Sequence, residues 1–567
     1  MAGRHVETLK RIYRRMPSGV RESIPDPVET WLRSRFATRI RAGRPGEVVR
    51  NLDRKLWGGF STSALRELEI ELAEANPTKG KFAEATFVLA AWHSVQGDFE
   101  RAVALMETLR ENQPHRIRER RFHLVHALYL CRVGRAQDAR ALLDAVGPRK
   151  HFDTSHALVE ASVWSPEAGA TEDDAGDHAL AAINSIFKHY GLAELSRFDP
   201  NKPVSLDNLS AADAPASRNG DLVSVIVPLW NAENTVGTAM RGLAAQTHTD
   251  IEVLIVDDCS TDNSAEVVAD FCARDPRFRL IRQEQNGGAY MARNRALAEA
   301  NGTFITVHDS DDWSHPERIA RHLDDLQPRF VPFNISDWVR TSTDLCFWGP
   351  WRPQPNQPTR NFSSVFFHRD LIDKVGPWDA ARVSADREFI NRVQSLHGLK
   401  RQLAFLPGCP LALGRLEDTS LTRTGATHAA TMYHGIRRDY HEAGDLWHDE
   451  LRQLSKVRGG LDGLNLSDPP YFPAPASIKP DRGADAREDI LFVGDYNFNG
   501  GTQKSALNMI SAAREAGFRT AMLQYRRYDQ DVARRLNPDV RRFAWNNDVR
   551  IVAPGEKLRA ETVVVTY

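Results

Sequence analysis

The chain is short of three things that decide function class. It has five cysteines in 567 residues, and Cys131, Cys259, Cys272, Cys346 and Cys409 form no close pair with metal-ligand spacing. An odd, scattered set argues against a disulfide framework or a structural zinc site and points to a reducing, cytoplasmic setting. It has no apolar run long enough to span a bilayer, and Met1–Lys10 lacks the apolar core of a secretory signal. Charge of one sign is missing too. Lysine and arginine number 74 against 75 acids, for a net charge of −1, which removes any general drive toward nucleic acid.

What remains is an ordinary globular composition, 41% apolar and 26% charged, in a chain too long for one core. Its texture changes along its length. Residues 1–208 read as helical and repeat-like. Phe82 through Ala102 is echoed by Phe122 through Ala139, each a small-residue helix, a glycine turn (Gly97, Gly134) and a second helix with alanine five residues on. This offset resembles tetratricopeptide arrays, which implies a surface for a protein partner or a brace for a neighbouring domain. A plain helical bundle fits the same pattern. Before the repeats, Val6, Leu9, Ile12, Tyr13 and Met16 form an apolar stripe beside Lys10, Arg11, Arg14 and Arg15. That stripe suits either a packed helix or peripheral contact with the inner face of a membrane.

Residues 209–221 read as a linker, and from Leu222 strands and helices alternate. Val223–Val227, Ile251–Val256, Arg279–Arg282 and Thr303–Val307 are expected strands. Glu233–Gln246, Ser264–Arg274 and Ala289–Ala300 are the helices between them. This order predicts an α/β domain with a doubly wound parallel sheet over residues 222–430. A helical extension (431–464) and a Pro-rich linker (465–488) follow. Residues 489–567 then read as a partial Rossmann-like segment. Its strand, Asn499-Gly500-Gly501 turn and helix resemble the opening of family-4, GT-B glycosyltransferases.

Two acidic clusters, Asp257-Asp258-Cys259-Ser260-Thr261-Asp262 and Asp309-Ser310-Asp311-Asp312, each follow an expected strand. Ligands bind at the carboxyl ends of strands in such sheets. Carboxylates gathered there repel one another unless a cation or several donors offset them, and oxygen donors suit Mg²⁺ or Mn²⁺.

Together with Val223–Pro228, Asn286-Gly287-Gly288-Ala289 and Ala292-Arg293-Asn294, these clusters resemble the family-2, GT-A, inverting glycosyltransferases in order and spacing. The resemblance covers roughly residues 222–425. It implies that Asp309 and Asp311 hold Mn²⁺ or Mg²⁺, and that Pro228, Asp257, Asp258, Arg293 and Asp309 bind a nucleotide-sugar donor, with UDP favoured. Asp386, in Ser384-Ala385-Asp386-Arg387-Glu388, is the general base. Most relatives carry an acidic pair there, whereas here Ala385 takes the first position, and Glu388 should point elsewhere on the helix. Trp348, Trp351, Trp378 and Asp379 are candidates for acceptor contact. Arg415 and Glu417 belong to the expected lid, with Glu417 standing where relatives place a histidine.

The implied activity is a hexosyltransferase-type glycosyltransferase. It would act on a glycan or glycolipid acceptor in bacterial surface polysaccharide synthesis, from the cytoplasm or the inner face of the membrane. A non-catalytic nucleotide-sugar-binding scaffold, recruiting partners through its helical repeats, is the alternative. A nucleotidyltransferase would need a basic Gly-rich loop after the first strand, where Pro228-Leu229-Trp230-Asn231-Ala232 stands. A haloacid-type phosphatase would not carry Trp313 two residues after Asp311.

Overall fold

A computed structural model describes residues 45–567 apart from 148–150, 212–213, 215–219, 330, 400–403, 417–424, 459–471, 473, 480–486, 499 and 567. The N-terminal amphipathic stripe and Glu417 therefore lie outside the described residues, as does Asn499.

The N-terminal helices pack as four consecutive pairs: α1 (Pro45–Trp57) with α2 (Ser61–Glu74), α3 (Gly80–Val95) with α4 (Phe99–Asn112), α5 (Arg120–Arg132) with α6 (Ala136–Val146), and α7 (Thr154–Val163) with α8 (Ala175–His189). Local chemistry starts these helices where the chain turns. Asp98 caps α4 by accepting the Arg101 amide at 3.1 Å, and Asp153 caps α7. A two-residue strand pair, β1 (Ser196–Arg197) with β2 (Leu209–Ser210), follows. The start of the expected linker is thus packed structure, with Leu209 and Ala211 buried.

The central domain holds two sheets. The larger runs β5-β4-β3-β6-β12-β8. Strands β3 (Val223–Leu229), β4 (Ile251–Asp257), β5 (Phe278–Arg282) and β6 (Phe304–Val307) are mutually parallel, and β12 (Phe366–His368) joins β6 and β8 (Phe333–Asn334) antiparallel. The crossovers are α9 (Val236–Ala244), α10 (Ser264–Arg274) and α11 (Ala289–Glu299). Period-two alternation divides each strand between two cores. Ile226, Leu254 and Ile305 pack with α11 on one face. Val225, Val253 and Phe304 pack on the other with α9 and with α12 (Arg318–Arg329).

The second sheet, β10-β9-β13-β7 with β11 on β9, was not expected from the sequence. It combines β7 (Trp313–Ser314), β9 (Asp337–Thr341), β10 (Phe347–Trp348), β11 (Thr359–Arg360) and β13 (Pro410–Arg415). Several of these strands are only two residues long, too short to show a period. Their apolar side chains share a core with α7 and α8, through Leu158, Ile186, Phe187, Val339, Phe347 and Leu413. The helical region is therefore fused to the central domain through a common interior.

Helix α13 (Leu371–Val375) leads to α14 (Ala385–Leu396), and α15 (Ile436–Arg458) lies against it. The last unit is a four-stranded, fully parallel sheet in the order β16-β15-β14-β17. It is built from β14 (Arg487–Gly494), β15 (Thr520–Gln524), β16 (Arg550–Val552) and β17 (Arg559–Val565), with α16 (Gly501–Glu515) and α17 (Pro538–Asn546) as crossovers. It docks on α15, where Arg541 pairs with Asp439 at 2.8 Å and Arg438 donates to the Val532 carbonyl at 2.6 Å. No helix among the described residues is long and apolar enough to cross a membrane.

Candidate active site

The parallel strands β3, β4 and β6 deliver their carboxyl ends to one edge of the sheet, and both acidic clusters sit there. The loops after β3 and β4 are tied together. The Asn231 amide donates to Ser260 Oγ at 3.1 Å, and the Thr261 amide donates to Asn231 Oδ1 at 2.8 Å. Asn231 and Cys259 both have positive φ, 48° and 61°. Such backbone costs about 1–3 kcal/mol per residue and concentrates at working sites.

Asp257 accepts the Ser260 amide at 3.0 Å and is buried. Asp258 braces the glycine loop that opens α11. Its carboxylate accepts Gln283 Nε2 and the amides of Gly287 and Gly288, each at 2.7 Å. Gly288 holds φ at +88°, where a side chain would also press on Arg382. Burial raises the Asp258 pKa despite these donors. Three protein hydrogen bonds leave little of this carboxylate for the nucleotide contact expected of it.

The second cluster is a tight turn after β6. Asp309 and Asp311 are partly exposed, whereas Asp312 is buried. Asp312 accepts the Arg415 amide at 3.1 Å, so the end of β13 clamps the turn. Burial, then the charges of Asp311 and Asp309, push the Asp312 pKa well up. The Arg415 side chain reaches the Asp311 carbonyl at 3.3 Å, Asp207, and Thr343 Oγ1 at 3.1 Å.

Arg293 is the hub. It projects from α11, is only 3% exposed, and donates through Nη2 to Asp309 Oδ1 at 3.0 Å. Its Nε and Nη1 have no hydrogen-bond partner among the described residues. Burial opposes its charge, but the fields of Asp309, Tyr290 and Asp386 together raise its pKa. A buried guanidinium with two unused donor nitrogens is expensive unless an anion arrives to accept from them. A second buried arginine, Arg318, lies behind the turn. Burial lowers its pKa to about 10 while Asp312 and Asp309 hold it up, and its Nε and Nη2 are also unpartnered.

Asp386 stands in the first turn of α14. The preceding Ser384 has φ at 71° and is held by Arg437 Nη1 at 2.8 Å. Asp386 is partly exposed and accepts the Arg387 amide at 2.7 Å. Its field reaches Arg293, Tyr290 and Arg437. Glu388, as expected, turns inward: it is buried against Arg392 at 2.6 Å and His448 at 2.9 Å.

The structure thus brings Asp309, Arg293 and Asp386 into one electrostatic neighbourhood, with Asp311, Asp312 and Arg415 on the adjoining turn. It does not bring the expected acceptor aromatics there. Trp378 is fully buried against Phe367 and Phe389, so its ring is core and has no face for a sugar. Asp379 accepts the Tyr440 hydroxyl at 2.6 Å and ties α15 to the domain. Trp348 packs on Phe99, and Trp351 packs on Trp57, His428 and Tyr433. Both tryptophans hold the seam with the helical region.

Asn294, present in the motif but without an expected role, and Arg318, not expected at all, both serve the site. Asn294 exchanges hydrogen bonds with the Trp378 backbone at 2.8 and 3.1 Å, locking α11 to the turn before α14. Arg318 could have been noticed as a cation on the apolar face of α12, beside Ile319 and Leu323. An all-oxygen donor set of two partly exposed carboxylates is what Mg²⁺ or Mn²⁺ takes from protein when substrate phosphates supply further ligands. Asp309 and Asp311 fit that requirement.

Acidic turns at the carboxyl edge of a parallel sheet, with a buried arginine between them and a carboxylate on a neighbouring helix, set cation-binding oxygens beside an anion-binding guanidinium. Residues 224–361 match the family model described as glycosyl transferase family 2. Glycosyltransferase GlyG of Streptococcus pneumoniae is 41% identical over 92 residues, covering 16% of this chain and 31% of GlyG. Glycosyltransferase EpsJ of Bacillus subtilis is 42% identical over 136 residues, covering 24% of this chain and 39% of EpsJ. The succinoglycan biosynthesis protein ExoO of Rhizobium meliloti is 38% identical over 102 residues, covering 18% and 29%. The chain spans less than half the length of each of these relatives. The solved structure of S. aureus TarS 1-349 with UDP is 21% identical, with a TM-score of 0.29 over 35% of this chain and 61% of that TarS 1-349 chain. A likeness that low supports no argument.

Proposed function

We propose that the protein is an inverting glycosyltransferase moving a sugar from a nucleoside diphosphate sugar, UDP-linked, to a hydroxyl of a glycan or glycolipid acceptor. The observation that carries this reading is Arg293: buried, bonded to Asp309, within the field of Asp386, and holding two donor nitrogens that point in directions without a partner among the described residues. Those directions suit the diphosphate of a donor lying between the acidic turn and α14.

Asp309 and Asp311 would hold a divalent cation, which supplies electrophilic stabilisation of the departing diphosphate. The chain's own groups do the rest. Arg293 offsets the charge that develops as the bond from the anomeric carbon to the phosphate oxygen breaks. Asp386 takes the proton of the acceptor hydroxyl as its oxygen forms the new bond on the opposite face, which inverts the configuration. Asp258 and Gln283 hold the glycine loop at the floor of the site. Asp257 flanks the nucleotide side. The polysaccharide acceptor extends to this chain what the name of ExoO says of that protein.

The test is hydrolysis of a panel of nucleotide sugars by the purified chain with Mg²⁺ or Mn²⁺. Metal-dependent release of a nucleoside diphosphate from one donor, UDP-linked, is expected. No release from any donor under either metal would overturn the reading.

A further inference from the structure

Three parts of the chain close around a cavity of about 400 Å³ that none of the roles above uses. The helical region contributes Arg54 and Trp57, the central domain with its packed helix α15 contributes Arg352, Arg387, Asn391, Arg438 and His441, and the C-terminal unit contributes Ala533 and Arg535. Five arginines line it against three carboxylates, Asp53, Glu442 and Asp445. Each carboxylate already has an arginine. Asp53 takes Arg352 at 2.5 Å, Glu442 takes Arg438 at 2.6 Å, and Asp445 takes Arg535 at 2.8 Å. Arg54 and Arg387 are left with no carboxylate partner among the described residues. His441 Nε2 is a further buried atom without a partner.

The cavity adjoins the proposed base through two pairs of consecutive residues. On α14, Asp386 faces the donor side while Arg387, the next residue, lines the cavity with Asn391 one turn on. On α15, Arg437 lies in the field of Asp386 while Arg438 lines the cavity. Tyr433, 40% exposed, supplies aromatic wall beside the arginines, a mixture that suits a sugar carrying a charge.

We infer that this cavity is an acceptor subsite for an anionic sugar, one bearing a phosphate or carboxylate that Arg54 and Arg387 neutralise while a hydroxyl is presented to Asp386. The word acceptor rests on the transferase reading; the anion site does not. It also gives the helical region and the C-terminal unit a shared duty, since each supplies a wall.

The test is equilibrium titration of the full chain carrying Asp311→Ala, which disables the cation site, with glucose 6-phosphate, glucuronate and glucose. Both anionic sugars should bind, and glucose at least about tenfold more weakly. Arg54→Gln and Arg387→Gln, added singly, should each weaken the anions about tenfold. Ala533→Trp, on an exposed residue of the third wall, should abolish binding by filling the cavity without removing a charge. Glucose binding as tightly as the anions would overturn the inference. So would anion binding unchanged by Arg54→Gln and Ala533→Trp. If the anions bind as described but no nucleotide sugar is hydrolysed by the chain with Asp311 intact, the site stands and the transferase reading falls. If hydrolysis succeeds and the anions do not bind, the cavity reading alone falls.

Discussion

The chain contains two parallel sheets that look alike in sequence and differ in what surrounds them. In the central domain, every residue of β6 and nearly every one of β3 and β4 is buried, because helices cover both faces. In the C-terminal unit, Phe492 and Met522 pack under α16 and α17, while Val563 and Val565 on the edge strand are 56% and 51% exposed. The strand ends differ in the same sense. The central sheet ends in Asp257, Asp258, Asp309 and Asp311 around a buried arginine, and the C-terminal sheet ends in a turn at Gly500 and Gly501. That turn is closed by Gln503 Oε1 on the Gly500 amide at 3.1 Å. Burial on both faces provides a rigid, poorly screened floor on which charges can be held in place. A parallel sheet without it is a scaffold.

The largest effect that could break this comparison is at the acidic turn. Asp311→Ala should reduce transfer by about a thousandfold or more by removing a carboxylate from the cation site, with thermal stability unchanged. Gln503→Ala at the C-terminal turn should leave nucleotide-sugar hydrolysis within about twofold, since that sheet is given no part in donor chemistry. If Gln503→Ala costs as much as Asp311→Ala in steady-state assays, the division of labour is wrong. Next in size is Asp386→Asn. It should lower the transfer rate about 10²- to 10⁴-fold while donor binding, followed by titration, stays within about twofold. Undiminished transfer would remove Asp386 from the mechanism.

Much of the central domain could be read from the chain. The α10 helix begins and ends where periodicity places it, and the βα alternation implied the parallel order. The acidic residues were visible because charge directly after an apolar run has few structural explanations. What stayed hidden was non-local. The second sheet is assembled from strands as short as two residues, paired across up to 100 positions of sequence, as Leu413 is with Trp313. Trp348, Trp351 and Trp378 carry no local mark that separates a sugar platform from a packing ring. Only the partners, Phe99, Trp57 and Phe389, decide it. Asp258 is a similar case, because the amides that occupy it come from a loop some thirty residues later.

A smaller effect sharpens the contrast through α14, where neighbouring acids take opposite duties. Burial works against the Glu388 charge, but Arg392 and His448 outweigh it and hold the pKa down at about 2. The unfolded chain therefore binds this proton more readily than the folded one between about pH 2 and the ordinary glutamate value of about 4.5. The stability Glu388 contributes is complete above that window and is lost as pH falls through it. Glu388→Gln should cost about 3–5 kcal/mol at neutral pH by removing the buried carboxylate that Arg392 and His448 share, and should flatten stability against pH between about 2 and 4.5. Denaturant titrations at several pH values would show both effects. An unchanged pH slope would mean that the buried triad does not govern acid stability.

The smallest effects compare the two sheets directly. Ile255, wholly buried in β4, should cost about 2–5 kcal/mol on replacement by alanine, from lost transfer energy and the cavity left behind. Val563→Ala on the exposed edge strand should cost less than about 0.5 kcal/mol. Both belong to apolar parallel strands, so composition alone would assign them similar values. Equal losses in urea unfolding would mean that Val563 is covered in solution, and that the C-terminal sheet is not the half-solvated element its exposure implies.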